Sequence, residues 1–177
     1  FILQQTKDLY GIYNKPCIGN MNQTSGTVRV PEDCATLEEA VARVHGDATL
    51  TQIVVGEGGH TVKTYTDQWG RTSNILVIPS AMHIVGTGSG PNAEGLTRIQ
   101  GGIRFEKGIE HCHLQNITLH HSELSGVLGE CAFTLQDVIV EHCHGTGLMG
   151  NGTGCNAICI NLMVHQCEGI AARTVPH

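Results

Sequence analysis

Aromatic side chains are nearly absent from this chain, which has one Trp, three Tyr and three Phe among 177 residues. A sandwich or a large globular core leans on such bulky groups. Their shortage, set beside 23 glycines, favours a narrow, tightly turned architecture. No apolar run reaches membrane-spanning length, so direct membrane insertion is not expected. Positive charge is also scarce. The formal net charge of −6 argues against nucleic acid or an anionic membrane as the main partner. The eight cysteines include no Cys-x2-Cys pair and do not follow the spacing of a small disulfide framework. The first residue is Phe1 rather than Met, which suggests a processed (organellar or secreted) or truncated chain.

What is present is repetition. Leu114-Gln-Asn-Ile-Thr-Leu119 is followed by Gly126-Val-Leu-Gly129. Leu135-Gln-Asp-Val-Ile-Val140 is followed by Gly147-Leu-Met-Gly150. Cys159-Ile-Asn-Leu-Met-Val164 is followed by Gly169-Ile-Ala-Ala172. The period, roughly 21 to 24 residues, lies in the range of solenoids. The apolar runs are too short for helices and suit strands. One such coil cannot bury its apolar face, but coils stacked at the inter-strand spacing can.

Stacking places like residues in columns. Leu119, Val140 and Val164 form one inward column, and Ile117, Val138 and Leu162 another. Asn116, Asp137 and Asn161 form a polar ladder at a turn, where Asn and Asp tolerate the left-handed conformation. Cys143 and Cys167 stack as small buried hydrophobes. A bridge between adjacent coils, or between Cys17 and Cys34, stays open.

Along the chain, residues 1–26 read as an extended arm without periodicity, and 27–177 as the repeat domain. The pattern predicts a helix from Thr36 to His45, with Thr36 and Glu39 as a capping box and Gly46 as its stop. Leu37, Ala40, Val41 and Val44 supply its apolar stripe. That helix covers the first coil and blocks edge pairing. Lys63 to Ser73 reads as a protruding loop carrying Tyr65 and Trp69. Gly86 to Asn92 reads as a second loop; no Lys-Ser/Thr pair or helix follows it, which argues against a phosphate loop.

The stretches Ala35-Thr-Leu-Glu-Glu-Ala-Val41 and Thr51-Gln-Ile-Val-Val-Gly-Glu-Gly58 resemble the opening of pectin-lyase-like proteins. Ile75-Leu-Val-Ile78, Met82-His-Ile-Val-Gly86 and Arg98 to Arg104 are similar to that family's first coils. The resemblance implies an all-β, right-handed parallel β-helix with one N-terminal capping helix. It also implies possible action on polysaccharides, as lyase, hydrolase or esterase. Those activities use clustered Asp, Arg, Lys or Gln on one exposed face. Asp137 belongs to the ladder, and Asp33, Asp47 and Asp67 precede the clear repeats. None matches a family motif, no pair of carboxyls suits glycoside hydrolysis, and no catalytic residue is assigned.

Histidines form the other constellation. In the register above, His120, Glu141 and His165 stack, as do His121, His142 and Gln166, and Glu123, His144 and Glu168. Imidazole and carboxylate at inter-strand spacing suit a cation such as zinc, and equally suit a plain solvated face. Three glycosylation sequons, at Asn22, Asn116 and Asn151, matter only in a secretory setting. Thr118 aligns with Ile139 and Met163, so no rank of threonines suits ice binding.

The expected role is a non-catalytic scaffold or interaction module, an accessory subunit with a protein partner and the arm as docking element. The last coil has no visible capping helix, so a partner or further sequence is expected to cover it. Two alternatives stand beside this. One is carbohydrate binding or processing, with Tyr65 and Trp69 as the stacking platform. The other is zinc binding on the histidine ladder; otherwise no cofactor is expected.

Overall fold

A computed structural model describes residues 26–88, 95–152 and 155–169, and the backbone of 172–175. The arm assigned to residues 1–26 lies outside these, except Gly26, which begins the first strand.

The chain winds a parallel β-solenoid of about six turns. Coil one holds β1 (Gly26–Val30) and α1 (Leu37–Gly46), the one helix among the described residues. Coil two holds β2 (Leu50–Val55), β3 (Gly58–Thr61), the short pair β4 (Tyr65–Thr66) and β5 (Thr72–Ser73), and β6 (Ile75–Ile78). Coil three holds β7 (His83–Gly86), β8 (Thr97–Gln100) and β9 (Gly102–Phe105). Coil four holds β10 (Cys112–His120) and β11 (Val127–Gly129), and coil five β12 (Phe133–Glu141) and β13 (Leu148–Asn151). Coil six holds β14 (Ala157–Ile160), β15 (Met163–His165) and β16 (Ala172–Val175).

Three faces result. The first runs β1-β2-β7-β10-β12-β14. The second stacks β3, β8, the later halves of β10 and β12, and β15. The third runs β6-β9-β11-β13-β16. All ladders between coils are parallel; only the hairpin β4–β5 is antiparallel. That hairpin is more ordered than the loop expected between Lys63 and Ser73.

In coils four and five the inward columns are aliphatic and fully buried, while Leu162 and Val164 of coil six are partly buried. Leu114 stands level with Leu135, Ile117 with Val138 and Leu119 with Val140. Phe105 and Phe133 pack with ring centroids 5.2 Å apart. Each fully buried side chain of this size contributes about 1.5–3 kcal/mol. With so few aromatics the interior stays narrow enough for aliphatic side chains to meet across it.

Two corners repeat in coils four to six. Asn116, Asp137 and Asn161 have φ of 54°, 53° and 50° and divide the first face from the second. His121, His142 and Gln166 have φ of 51°, 52° and 53° and end the second face. Gly101, with φ of 135°, turns that second corner one coil lower; a Cβ there would sit 2.5 Å from the Asn74 carbonyl.

Helix α1 buries Leu37, Ala40, Val41 and Val44 over the first coils. Thr36 Oγ accepts from Glu39 N at 3.2 Å, and Glu39 Oε2 accepts from Ala35 N at 3.0 Å. The expected stop is corrected: Gly46 remains helical, and the extended Asp47 ends the helix. Asp47 accepts from Thr49 N at 2.9 Å, and Leu50 N donates to Asp47 O at 2.9 Å, which turns the chain straight into β2. No left-handed glycine is needed for that exit.

The third copy of the repeat is corrected by two residues. Gly169 N donates to Gly145 O, so these two stack, and Ala172 lies level with Leu148. Matching Gly169 to Gly147 followed the look of the glycines, whereas the strand pairing keeps a constant distance from the Asn161 corner.

Leu135→Ala should therefore lower unfolding free energy by about 2–5 kcal/mol. Ile158→Ala, on an exposed outward position, should change it by less than about 0.5 kcal/mol. Urea unfolding of both variants checks the inward–outward assignment; equal losses would contradict it.

Candidate functional site

Polar side chains gather where the second face ends. His120 is level with Glu141, and Glu141 with His165. The next position turns the left-handed corner, so the His121 and His142 rings stack on successive coils, centroids 5.2 Å apart and planes 20° apart. His120 Nδ1 lies 2.8 Å from His121 Nδ1, and His142 meets His165 edge-on at 6.4 Å. On the adjacent step, His144 Nδ1 lies 3.1 Å from Glu168 Oε1.

Glu141 is the electrostatic centre of this rank. Arg98, from the outward position two residues earlier on β8, donates to Glu141 Oε1 at 2.6 Å. His165 Nε2 lies 3.4 Å from the other carboxylate oxygen, and its Nδ1 lies 3.2 Å from Gln166 Oε1. The carboxylate is thus held by a guanidinium and an imidazole. Among the described residues no three His, Cys, Asp or Glu side chains converge as a metal ligand set. The arrangement brings together His120, Glu141, His165, His121 and His142, but as a row along the edge rather than around one point. Partial burial, then the Arg98 guanidinium and His121, hold the His120 pKa below the ordinary imidazole value.

A second histidine pair sits on the first face. His83 and His113 occupy one outward column with Gln52 and Thr134. Their rings meet edge-on at 5.3 Å. Burial, reinforced by His111, pushes both below the ordinary value. His113 Nε2 is buried without a hydrogen-bond partner.

The Asn116, Asp137 and Asn161 side chains mark the first corner. Asn161 Nδ2 donates to Asp137 Oδ1 at 2.8 Å, which ties coil six to coil five. The other described aspartates also serve local backbone. Asp33 accepts from Arg29 N at 2.8 Å and Asp47 from Thr49. Asp67 accepts from Trp69 N at 2.9 Å and from Arg71 N at 3.0 Å. The Arg71 amide bond to Asp67, followed by its side chain, lowers that carboxyl's pKa. The hairpin it braces holds Tyr65 at 69% and Trp69 at 71% exposure, with the Arg71 guanidinium 5.1 Å from the indole ring. One indole face is therefore already covered by a cation.

The thiols line two corners. Backbone pairing between coils places Cys167 over Cys143, above Ser122, since Glu168 N donates to Cys143 O and His144 N to Ser122 O. Cys131 lies against Cys112 and Cys155. This second group has a sequence signal, a cysteine at or just before the start of the first-face strand in coils four to six. The seven described cysteines are free thiols. Burial pushes Cys131 and Cys143 up to about 12. Cys17 lies outside the described residues, as do Asn22 and much of the Gly86–Asn92 loop.

Two outcomes follow. Histidines with depressed pKa favour the neutral form when folded, so the unfolded chain takes up more protons and stability rises with pH. The melting temperature should fall as pH drops below the ordinary imidazole value of 6.5, and His113→Gln should flatten that fall; a variant with an unchanged slope would contradict it. Cys131 and Cys143 should resist alkylation at pH 8 in the folded chain and label rapidly in urea, as peptide mass mapping would show.

No known protein family, curated protein or solved structure matches this chain.

Proposed function

We propose that this chain is a non-catalytic interaction module, an accessory subunit that meets a protein partner through the outward sides of its coils. One observation carries this role. Ile158, Ile160 and Met163 are exposed by 48%, 42% and 51%, and they flank the Asn161 corner on one coil. One coil lower, the same outward positions hold Thr134, Gln136 and Ile139. Large aliphatic side chains clustered on a rigid outer surface favour a protein contact over solvent. Kinship with pectin-lyase-like β-helices is part of the same proposal, supported by the helix-first order and the asparagine-type corner. That fold hosts many functions, so kinship adds nothing to the choice of activity.

A second role, carbohydrate binding, is favoured by Tyr65 and Trp69, whose exposed rings suit stacking on a sugar. Zinc binding along the His120–Glu141–His165 row is the weaker third, because Arg98 already neutralises the carboxylate.

In native extract the chain should travel in a complex larger than itself. Ile160→Asp combined with Met163→Glu should release it without changing its fold, since both side chains point outward. Co-sedimentation of wild type and variant, with circular dichroism as the folding control, reads this directly. A wild-type chain that sediments alone would overturn the role, and a glycan array would then test the second.

A further inference from the structure

Among the described residues, strand β3 has a partner on one side only. It runs against β8, with Gly58 level with Thr97 and Thr61 level with Gln100. The amides of Gly58 and Val62 donate to the Leu96 and Gln100 carbonyls, each at 3.0 Å. Backbone groups along a strand alternate in direction, so Gly59 and Thr61 turn their N–H and C=O groups to the opposite side. Coil one offers no strand there. After β1 its chain leaves the ladder at Pro31 and winds into α1.

A groove of about 330 Å³ lies between the two, lined by Pro31, Thr36 and Leu37 on one side and by Gly59, His60 and Thr61 on the other. A Cβ built on Gly58 or Gly59 would meet nothing within 4 Å, so no described side chain crowds these two positions. His60 takes the inward column that Ile99, Leu119 and Val140 fill on later coils. Its Nε2 lies 2.9 Å from Gly56 O, and the ring is only partly buried.

Charge on the surrounding elements is one-sided. Glu57 lines the groove. Glu32 and Asp33 follow Pro31, and Glu38 and Glu39 occupy the first turn of α1. Arg29, Lys63 and, in the last turn of α1, Arg43 are the cations on the same elements, so acidic groups are in excess. Glu38 Oε1 accepts from Lys63 N at 2.8 Å, while its Oε2 is buried without a partner.

We propose that this groove receives an extended, basic peptide segment of a partner protein, which pairs with the free edge of β3 as an added strand. The proposal deepens the interaction role and rests on it, since it names the chemistry and one place of contact. Main-chain bonds to Gly59 and Thr61 supply affinity, and the acidic rim selects Lys or Arg side chains.

Fluorescence anisotropy on the whole chain tests it with three labelled octapeptides. One alternates Lys and Val, one alternates Glu and Val, and one is the Lys–Val peptide N-methylated at every second residue. The Lys–Val peptide should bind. N-methylation should weaken it by about tenfold or more, because two backbone hydrogen bonds are lost. Thr61→Pro should do the same by removing the amide that faces the groove, at an edge position where proline is tolerated. The Glu–Val peptide should bind at least about tenfold more weakly, and Glu57→Gln should reduce that preference.

Equal binding of the N-methylated peptide would reduce the effect to charge alone and overturn the proposal. So would unchanged binding by folded Thr61→Pro, or self-association abolished by that variant, which would assign the edge to a second copy. If Thr61→Pro fails to fold, the N-methylated peptide still decides. A chain that keeps its native assembly yet binds no probe would sink the groove and leave the interaction role standing. A chain that binds the probe but sediments alone would do the reverse.

Discussion

Every strand on the three faces finds its backbone partners one coil away, never beside it in sequence. That single constraint governs the molecule. A parallel ladder between coils survives only if each coil turns its corners at the same height, because a slip of one residue sends the inward side chains outward. The left-handed residues enforce this. Asn116, Asp137 and Asn161 at one corner, and His121, His142 and Gln166 at the next, share φ values within a few degrees. Between those corners the chain has room for four residues, enough for two inward aliphatic side chains and two outward ones.

Registration that organises the core also organises the surface. Because equivalent positions stack, any outward polar residue that recurs becomes a row. The His120–Glu141–His165 row and the stacked His121 and His142 rings arise this way. Such a row has neighbours at inter-strand spacing on a line, and a line does not surround a cation. The described aspartates are engaged locally: Asp33, Asp47 and Asp67 accept from nearby backbone amides, and Asp137 from Asn161 on the next coil. Distinct surface chemistry instead gathers where the repetition breaks, at Ile158, Ile160 and Met163 on coil six and at the unpaired edge of β3 beside α1.

Much of the fold was legible from coils four to six, where apolar runs recur around a polar marker. Asn and Asp announce a left-handed turn chemically, so the first corner could be read from three residues. The second corner was not legible, because Gln carries no such signal and His a weaker one, and the same residues looked like a ligand set or a solvated face. The third copy misled by its glycines: Gly169 mimics Gly147 in the alignment but stacks on Gly145. In coils one to three the helix was legible from its capping box and apolar stripe, but the coiling was legible only through resemblance, since the hairpin between Tyr65 and Ser73 and the loop after Gly86 break the periodicity. The groove beside β3 was invisible, because it depends on what coil one lacks, and a missing strand leaves no mark on local sequence.

The most direct test measures the stack itself. Gln52, His83, His113, Thr134 and Ile158 form one outward column. Spin labels at Gln52 and Ile158 are therefore four inter-strand steps apart, and pulsed dipolar spectroscopy should give one narrow distance near roughly 19 Å. A broad distribution, or a separation well beyond 30 Å, would show that the coils do not stack in register, and the columns, corners and faces built on that register would fall with it.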